Sequence, residues 1–146
     1  MKKVLIISAS PRKNGNSDLL CDEFAKGAIE AGHDVEKMLS ADVIVLATPV
    51  YFYSMDAQLK ALIDRSVSRW SDFGRFKGTE FWHIITAADT NKKMMSATLE
   101  GLRGFMRDCM EGSIERGVLY GTGAYEKGEV RALPVFKEAY EAGKSC

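Results

Sequence analysis

The sequence has no excess of charge of either sign. Twenty basic residues balance twenty acidic residues, so the formal net charge at neutral pH is zero. Such a chain creates no overall field that would attract nucleic acid or a membrane surface. No apolar run in the sequence is long enough to span a bilayer. We therefore expect no nucleic-acid partner and no membrane partner, and we expect weak repulsion between copies to favour self-association.

Cysteine is also scarce. The three cysteines, Cys21, Cys109 and Cys146, lie far apart and form no C-x-x-C pair. An odd number without regular spacing predicts a reducing, cytoplasmic setting, and the spacing predicts no metal site among these residues. The first apolar run ends after four residues and is followed by Pro11 and Arg12, so a signal peptide is not expected.

The familiar nucleotide-binding motifs are missing. A Walker A loop requires Gly-Lys-Ser/Thr after a first glycine and four further residues, and no segment has this pattern. Gly121 and Gly123 begin a G-x-G sequence, but Glu126 stands where the dinucleotide fingerprint requires a third glycine. The first loop has no cysteine, because Cys21 already lies in the predicted first helix. These absences exclude a P-loop hydrolase, a typical dinucleotide fold and a phosphatase-type loop.

A polar loop follows the first apolar strand and precedes an amphipathic helix. A helix N-terminus at the carboxyl end of a parallel strand is a favourable place for an anion. The loop adds hydroxyl, amide and guanidinium groups, and we predict that Asn14-Gly15 forms a tight turn with positive φ. The alternative is an ordinary turn in which Asn16 or Ser17 only caps the helix. Because the loop is longer than such a turn needs, we predict a phosphate site with the ligands Ser10, Arg12, Asn14, Asn16 and Ser17.

Apolar strands and helical patterns alternate along the chain. Strands are predicted at about 3–8, 42–47, 81–85 and 114–120, and helices at about 17–31, 55–68, 92–110 and 135–142. This order predicts a single α/β domain, residues 1–146, in which helices cover both faces of a doubly wound parallel sheet. Loops at the carboxyl ends of such strands meet at one edge. Loops 8–17, 48–54 and 86–90 are therefore predicted to form one composite site.

The second and third of these loops suit a flat ligand. Consecutive aromatic residues after a buried strand can stack on a ring, and small residues allow close approach of the backbone. The alternatives are aromatic packing against a helix or a partner, and a plain turn in which Asp89 or Thr90 caps the next helix. The predicted ring contacts are Pro49, Val50, Tyr51, Phe52, Tyr53, Thr86, Ala87 and Ala88.

Segments 10–17 and 47–54 together closely resemble the NADPH-dependent FMN reductase and iron–sulfur-flavoprotein-like branch of the flavodoxin-fold family. The resemblance continues through 85–90 and 119–128. It implies a flavodoxin-like fold, FMN bound across the three loops, NAD(P)H as co-substrate, and a small acceptor such as flavin or quinone. It also implies a homodimer or homotetramer and no obligatory catalytic side chain, since the chemistry occurs on the flavin. The alternative is a flavodoxin-like electron carrier without its own NAD(P)H reductase activity.

One unit of this family's pattern is incomplete. The stretch 33–37 looks like the start of a second strand, and 38–41 looks like the end of a second helix. Either the chain lacks this strand and helix, or the printed sequence omits a segment between Lys37 and Met38. A separation of about 3.8 Å between their Cα atoms would indicate a real bond. The expectation that the chain has no cysteine cluster for an iron–sulfur centre therefore applies only to the printed residues.

Three other groups have non-catalytic interpretations. His83 is expected to be a buried histidine with satisfied hydrogen bonds. A solvated helix face is expected for Asp56, Lys60, Asp64 and Arg65. Trp70 and Trp82 are expected to pack in the core or at an interface.

Overall fold

The parallel sheet is the centre of the structure, a computed structural model that describes residues 1–12, 14–35 and 41–146. Its strands are β1 (Lys3–Ser8), β2 (Asp34–Val35), β3 (Val43–Tyr51), β4 (Ser54–Met55), β5 (Glu80–Ala87) and β6 (Ile114–Thr122). The order is β2-β1-β3-β5-β6, all parallel, and β4 pairs with β3 in antiparallel orientation. The predicted parallel α/β fold is confirmed.

Four α-helices connect or follow the strands. They are α1 (Asn16–Glu30), α2 (Ala57–Arg65), α3 (Ser96–Arg103) and α4 (Pro134–Ser145). Tighter 3-10 turns occupy Ser66–Phe76, Lys92–Met95 and Glu129–Ala132, and a π-helix occupies Gly104–Cys109. The predicted helix over 92–110 is therefore three consecutive pieces of different pitch. No helix within the described ranges combines the length and apolarity needed to cross a membrane.

The helices bury two separate apolar layers against the sheet. One layer joins α1 and α4 to residues such as Val45 and Ile84, and the other joins α2 and α3 to residues such as Leu46 and Ile85. This alternation along β3 and β5 follows from the period of two in a strand. Helices α1 and α4 approach closely, since a Cβ at Gly27 would lie 2.0 Å from the Tyr140 carbonyl oxygen.

The second strand is present only as a short element. Asp34 and Val35 pair with Lys3 and Val4 of β1, as the opening of that strand predicts. Residues 36–42 are all that separate β2 from β3. The two alternatives for the junction of Lys37 and Met38, a shortened chain or an omitted segment, concern residues outside those that the structure describes.

Asp56 corrects one expectation. Its side chain is buried, with the residue 2% exposed, and it caps α2 by accepting a 2.9 Å hydrogen bond from the Leu59 N–H. Its own backbone N–H donates to the Thr48 hydroxyl at 3.0 Å. The solvated face predicted for Asp56 is therefore wrong. Burial raises the pKa of this carboxyl above its usual value, and the Leu59 N–H acts in the opposite direction.

Candidate functional site

A cleft lies at the carboxyl ends of β1, β3, β5 and β6. All three predicted loops reach it, as expected for an open parallel sheet. The predicted residues that line it are Ser10, Arg12, Asn16, Ser17, Pro49, Val50, Tyr51, Thr86, Ala87 and Ala88. The structure thus brings most of the predicted ligands into one place.

A fourth loop also lines the cleft, and the sequence reasoning assigned it no ligands. Ala124, Tyr125 and Lys127 contribute from the segment that follows β6. The strand pattern could have predicted that this loop belongs to the site, because β6 ends at the same sheet edge as the other strands. The segment also lies within the resemblance described above.

The polar loop turns at Asn14 rather than at Gly15. Asn14 has φ +55°, whereas Gly15 has φ −69° and is the N-cap of α1. The predicted tight turn with positive φ at Asn14-Gly15 is therefore confirmed, and Asn14 is the residue that adopts the positive φ. Glycine is needed at position 15 for space, since a Cβ there would lie 2.8 Å from the Arg12 carbonyl and the Ser10 hydroxyl.

The Asn16 side chain holds the fourth loop. Its amide nitrogen donates to the carbonyl oxygens of Ala124 and Glu126 at 3.1 and 3.0 Å. Its oxygen accepts a 2.9 Å hydrogen bond from the Gly128 N–H. These three bonds engage both of its amide hydrogens and its oxygen, so Asn16 positions a wall of the cleft.

Ser17 makes a similar connection inside the cleft. Its hydroxyl lies 2.7 Å from the Thr86 hydroxyl, and both residues are buried. One of the two donates and the other accepts, which joins the first turn of α1 to the end of β5. This bond satisfies a buried polar pair and also fixes the spacing between two of the loops.

Three groups of the lining can contact an anion: the Arg12 guanidinium, the Lys127 ammonium and the Ser10 hydroxyl, which also makes 3.3 Å hydrogen bonds to the carbonyl oxygen and the N–H of Arg12. Arg12 makes one long bond, 3.4 Å, to the Tyr125 carbonyl oxygen. Among the described residues, no carboxylate lies within 4.0 Å of either cation. The Asp18 carboxylate accepts from the Ser8 hydroxyl and from the Gly15 N–H. The cleft wall therefore carries two cations without an ion-pair partner.

Two of the predicted aromatic residues lie outside the cleft lining. Phe52 and Tyr53 form the tip of a β3–β4 hairpin, in which Tyr51 pairs with Ser54. Both have positive φ, and Phe52 is 100% exposed. Tyr51, one residue earlier, remains in the lining. The sequence did not predict the hairpin, because two aromatic residues are unusual where a tight turn favours Asn and Gly.

Asn14 is the third predicted residue outside the cleft lining. It lines a neighbouring groove together with Lys127 and Arg131. The left-handed conformation of Asn14 places it at the turn itself, two residues before α1 begins.

His83 lies on β5 and is fully buried. Its Nε2 atom is 3.9 Å from Glu115, beyond hydrogen-bond distance, and neither ring nitrogen has a hydrogen-bond partner among the described residues. The predicted burial of His83 is therefore confirmed, whereas the prediction that its hydrogen bonds are satisfied is wrong. Burial lowers its pKa to about 4, with Glu115 acting in the opposite direction, so the ring is neutral at pH 7.

Comparison with known proteins identifies relatives of the chain. A family model described as the flavodoxin-like fold matches residues 29–140. An iron–sulfur flavoprotein of Methanocaldococcus jannaschii is 33% identical over 99 residues, covering 44% of this chain and 51% of that protein. An FMN-dependent NADH:quinone oxidoreductase of Methylorubrum extorquens is 30% identical over 120 residues, covering 82% of this chain and 46% of that protein. The chain therefore matches about half the length of each relative.

The fold is also found in solved structures. The Trp repressor binding protein of Bacillus subtilis superposes with a TM-score of 0.77 at 20% sequence identity. The match covers 98% of this chain and 96% of that one. At this level of identity, the similarity concerns the arrangement of the sheet and helices.

Proposed function

The chain belongs to the flavodoxin-like fold family, and from that membership we propose that it is an FMN-binding, NAD(P)H-dependent oxidoreductase. It passes electrons from a nicotinamide to a small acceptor such as a flavin or a quinone. The observation that carries the proposal is the composition of the cleft. Basic side chains line one end, and an aromatic residue and small residues line the other. The relatives named for iron–sulfur flavin chemistry and for FMN-dependent quinone reduction support the same reading.

The phosphate end of the cleft fits a phosphate monoester. Ser10 offers a hydroxyl, Arg12 a planar guanidinium and Lys127 an ammonium group, while the start of α1 directs backbone N–H groups and a positive dipole end outward. Gly15 leaves the space that a Cβ would fill between Arg12 and Ser10. In this proposal Asn16 and Ser17 contribute through their backbone, because their side chains hold the neighbouring loops.

The other end of the cleft fits a flat ring. Tyr51 provides an aromatic face, and Pro49 and Val50 provide a rigid backbone at the end of β3. Ala87 and Ala88 leave room for the ring opposite, since neither carries a side chain beyond Cβ. Phe52 and Tyr53 lie outside the lining, so the proposal assigns them no part in holding the ring.

In this proposal the residues around the cleft would bind and orient the cofactor. They include no paired nucleophile and base that would carry a reaction by themselves. When bound, FMN would supply the two-electron chemistry that these side chains lack. Two further properties belong to the proposal: a cytoplasmic location, and a homodimer or homotetramer.

A non-enzymatic electron carrier is the second candidate for the same cleft. The zero net charge favours an enzyme, because electron carriers of this fold are usually strongly acidic and use that charge to dock on a partner protein. The carrier would bind the same cofactor and differ in its response to NAD(P)H.

The visible absorption spectrum of the purified protein, followed by anaerobic addition of NADPH, tests the proposal. We expect flavin bands that bleach on addition. Flavin bands that persist with both NADPH and NADH would favour the carrier. A colourless protein that takes up no added FMN contradicts both. Arg12→Gln should weaken FMN binding about tenfold, since one charge-assisted phosphate contact is lost, whereas Arg65→Gln on α2 provides a control with the same change of charge.

A further inference from the structure

A second groove lies beside the phosphate end of the cleft. Its lining residues are Asn14, Leu19, Lys127, Gly128 and Arg131. Lys127 lines both the groove and the cleft, so the two depressions are adjacent. The Asn16 bond to the Gly128 N–H fixes the backbone of the groove lining at Gly128.

Two basic side chains, Lys127 and Arg131, line the groove, and no acidic residue of the described part of the chain lines it. Lys127 and Arg131 are both exposed. Within the described parts of the chain, neither has a carboxylate within 4.0 Å. Two such cations on one concave surface attract an anion, and the Asn14 amide adds hydrogen-bond donors. The chemistry of the lining therefore suits a phosphoryl group.

The position of the groove restricts which phosphate it can hold. Asn14 belongs to the polar loop and Leu19 to the start of α1, so the groove adjoins Ser10 and Arg12. Tyr51, Pro49 and Val50 line the cleft and not the groove. A ligand that extends past the flavin phosphate would therefore present its next phosphoryl group to Lys127 and Arg131.

We propose that this groove is a second phosphate subsite, which holds a phosphate from the adenosine half of a dinucleotide. The inference rests on the proposed function. Two ligands share this chemistry: FAD, through the phosphate attached to its adenosine, and NADPH, through the phosphates of its adenosine half. The contribution of Arg131 is specific to this subsite, because Arg131 does not line the cleft.

Isothermal titration calorimetry on Arg131→Gln tests the subsite directly. FMN and FAD are titrated into the flavin-free protein, and NADPH into the FMN-loaded protein. We expect the affinity for FMN to stay within twofold, and the affinity for FAD or for NADPH to fall about tenfold with loss of one charge-assisted contact. The ligand that loses affinity identifies the source of the phosphate. Arg131→Lys should retain part of the affinity, and Arg65→Gln should retain all of it.

The probe 2′,5′-ADP separates this inference from the proposed function, because its binding needs no flavin and no turnover. Weaker binding of this probe to Arg131→Gln than to Arg65→Gln supports the subsite even if the protein binds no flavin. Equal affinity of the two variants for FAD, NADPH and 2′,5′-ADP overturns it. So does a wild-type protein that binds none of the three.

Discussion

The Asn16 side-chain oxygen accepts a 2.9 Å hydrogen bond from the Gly128 N–H, which lies 112 residues further along the chain. With its two bonds to the Ala124 and Glu126 carbonyl oxygens, Asn16 fastens the fourth loop to the start of α1. The phosphate loop and the loop after β6 therefore depend on one side chain. Asn16, one of the five predicted phosphate ligands, acts through its side chain as a tether in the structure.

Asn16→Ala should loosen the loop without unfolding the protein. Three hydrogen bonds are lost, each contributing about 1 kcal/mol, and the Gly128 N–H loses its acceptor. We expect faster hydrogen–deuterium exchange across residues 124–128 and about tenfold weaker flavin binding, because Lys127 is no longer fixed. Asn91→Ala, which removes a 3.1 Å bond to the Lys93 N–H elsewhere, is the control. Unchanged exchange in residues 124–128 would contradict the tether.

The buried hydroxyl pair Ser17 and Thr86 predicts strong coupling between two substitutions. Ser17→Ala leaves the Thr86 hydroxyl buried without its partner, at a cost of about 1–3 kcal/mol, and Thr86→Val does the same to Ser17. The double variant should lose less stability than the sum of the two single losses. Urea unfolding of all four proteins measures this coupling, and simple additivity would show that the hydroxyls act independently.

Replacement of glycine by alanine should have opposite effects at Gly27, where α1 and α4 approach closely, and at Gly104, which lies outside this contact. Gly27→Ala places a methyl group 2.0 Å from the Tyr140 carbonyl oxygen, so the helices must move apart at a cost of about 2–3 kcal/mol. Gly104 has helical φ and ψ and open space around its Cα. Gly104→Ala should stabilise by about 0.5 kcal/mol, because alanine loses less conformational entropy. Thermal unfolding of both variants measures whether each substitution stabilises or destabilises the protein.

The three cysteines should react at very different rates. Cys21 and Cys146 are buried, and burial raises both pKa values, that of Cys21 to about 12. Their thiols therefore stay protonated at pH 8 and should resist alkylation, whereas the partly exposed Cys109 should be labelled first. Mass spectrometry after iodoacetamide treatment should find one labelled site in the native protein and three in urea. Early labelling of Cys21 would contradict its burial.

The strand pattern made much of this fold and site predictable. Apolar runs gave β1 and the start of β3 directly, and the rule for parallel sheets brought three loops to one edge. The roles of Asn16 and Ser17 were not predictable in this way. Their partners, Gly128 and Thr86, come from distant loops, and a local sequence pattern cannot distinguish a tether from a ligand.

The limits of the elements were less predictable than their existence. Strand β3 continues through Pro49, which pairs with Thr86 of β5, to Tyr51, which pairs with Ser54 of β4. Strand β4 is formed by two residues without a strand signal of their own. The tip at Phe52 and Tyr53 lies outside the cleft lining. Asp56 was misread for a related reason: the burial of a helix cap depends on Thr48, eight residues earlier, rather than on the face of the helix.

His83 predicts an acid-sensitive stability. Its pKa is about 4 in the folded protein and near 6.5 when unfolded, so unfolding takes up a proton between these values. The free energy of unfolding should therefore fall as the pH drops from 6.5 towards 4, by up to about 1.4 kcal/mol per pH unit. The Arg103 side chain lowers the pKa of Glu115. Protonation of the Glu115 carboxylate therefore also decreases the free energy of unfolding, but at lower pH than the protonation of His83 in the unfolded chain.

The substitution His83→Leu isolates this contribution. It removes two buried nitrogens without partners among the described residues, so the variant should be at least as stable as wild type at pH 7. Its stability should also depend less on pH between 6.5 and 4.5, which urea unfolding at several pH values measures. His33, the other histidine in the sequence, is present in both proteins and cancels in the difference. Equal slopes for wild type and variant would mean that His83 titrates alike in the folded and unfolded chains.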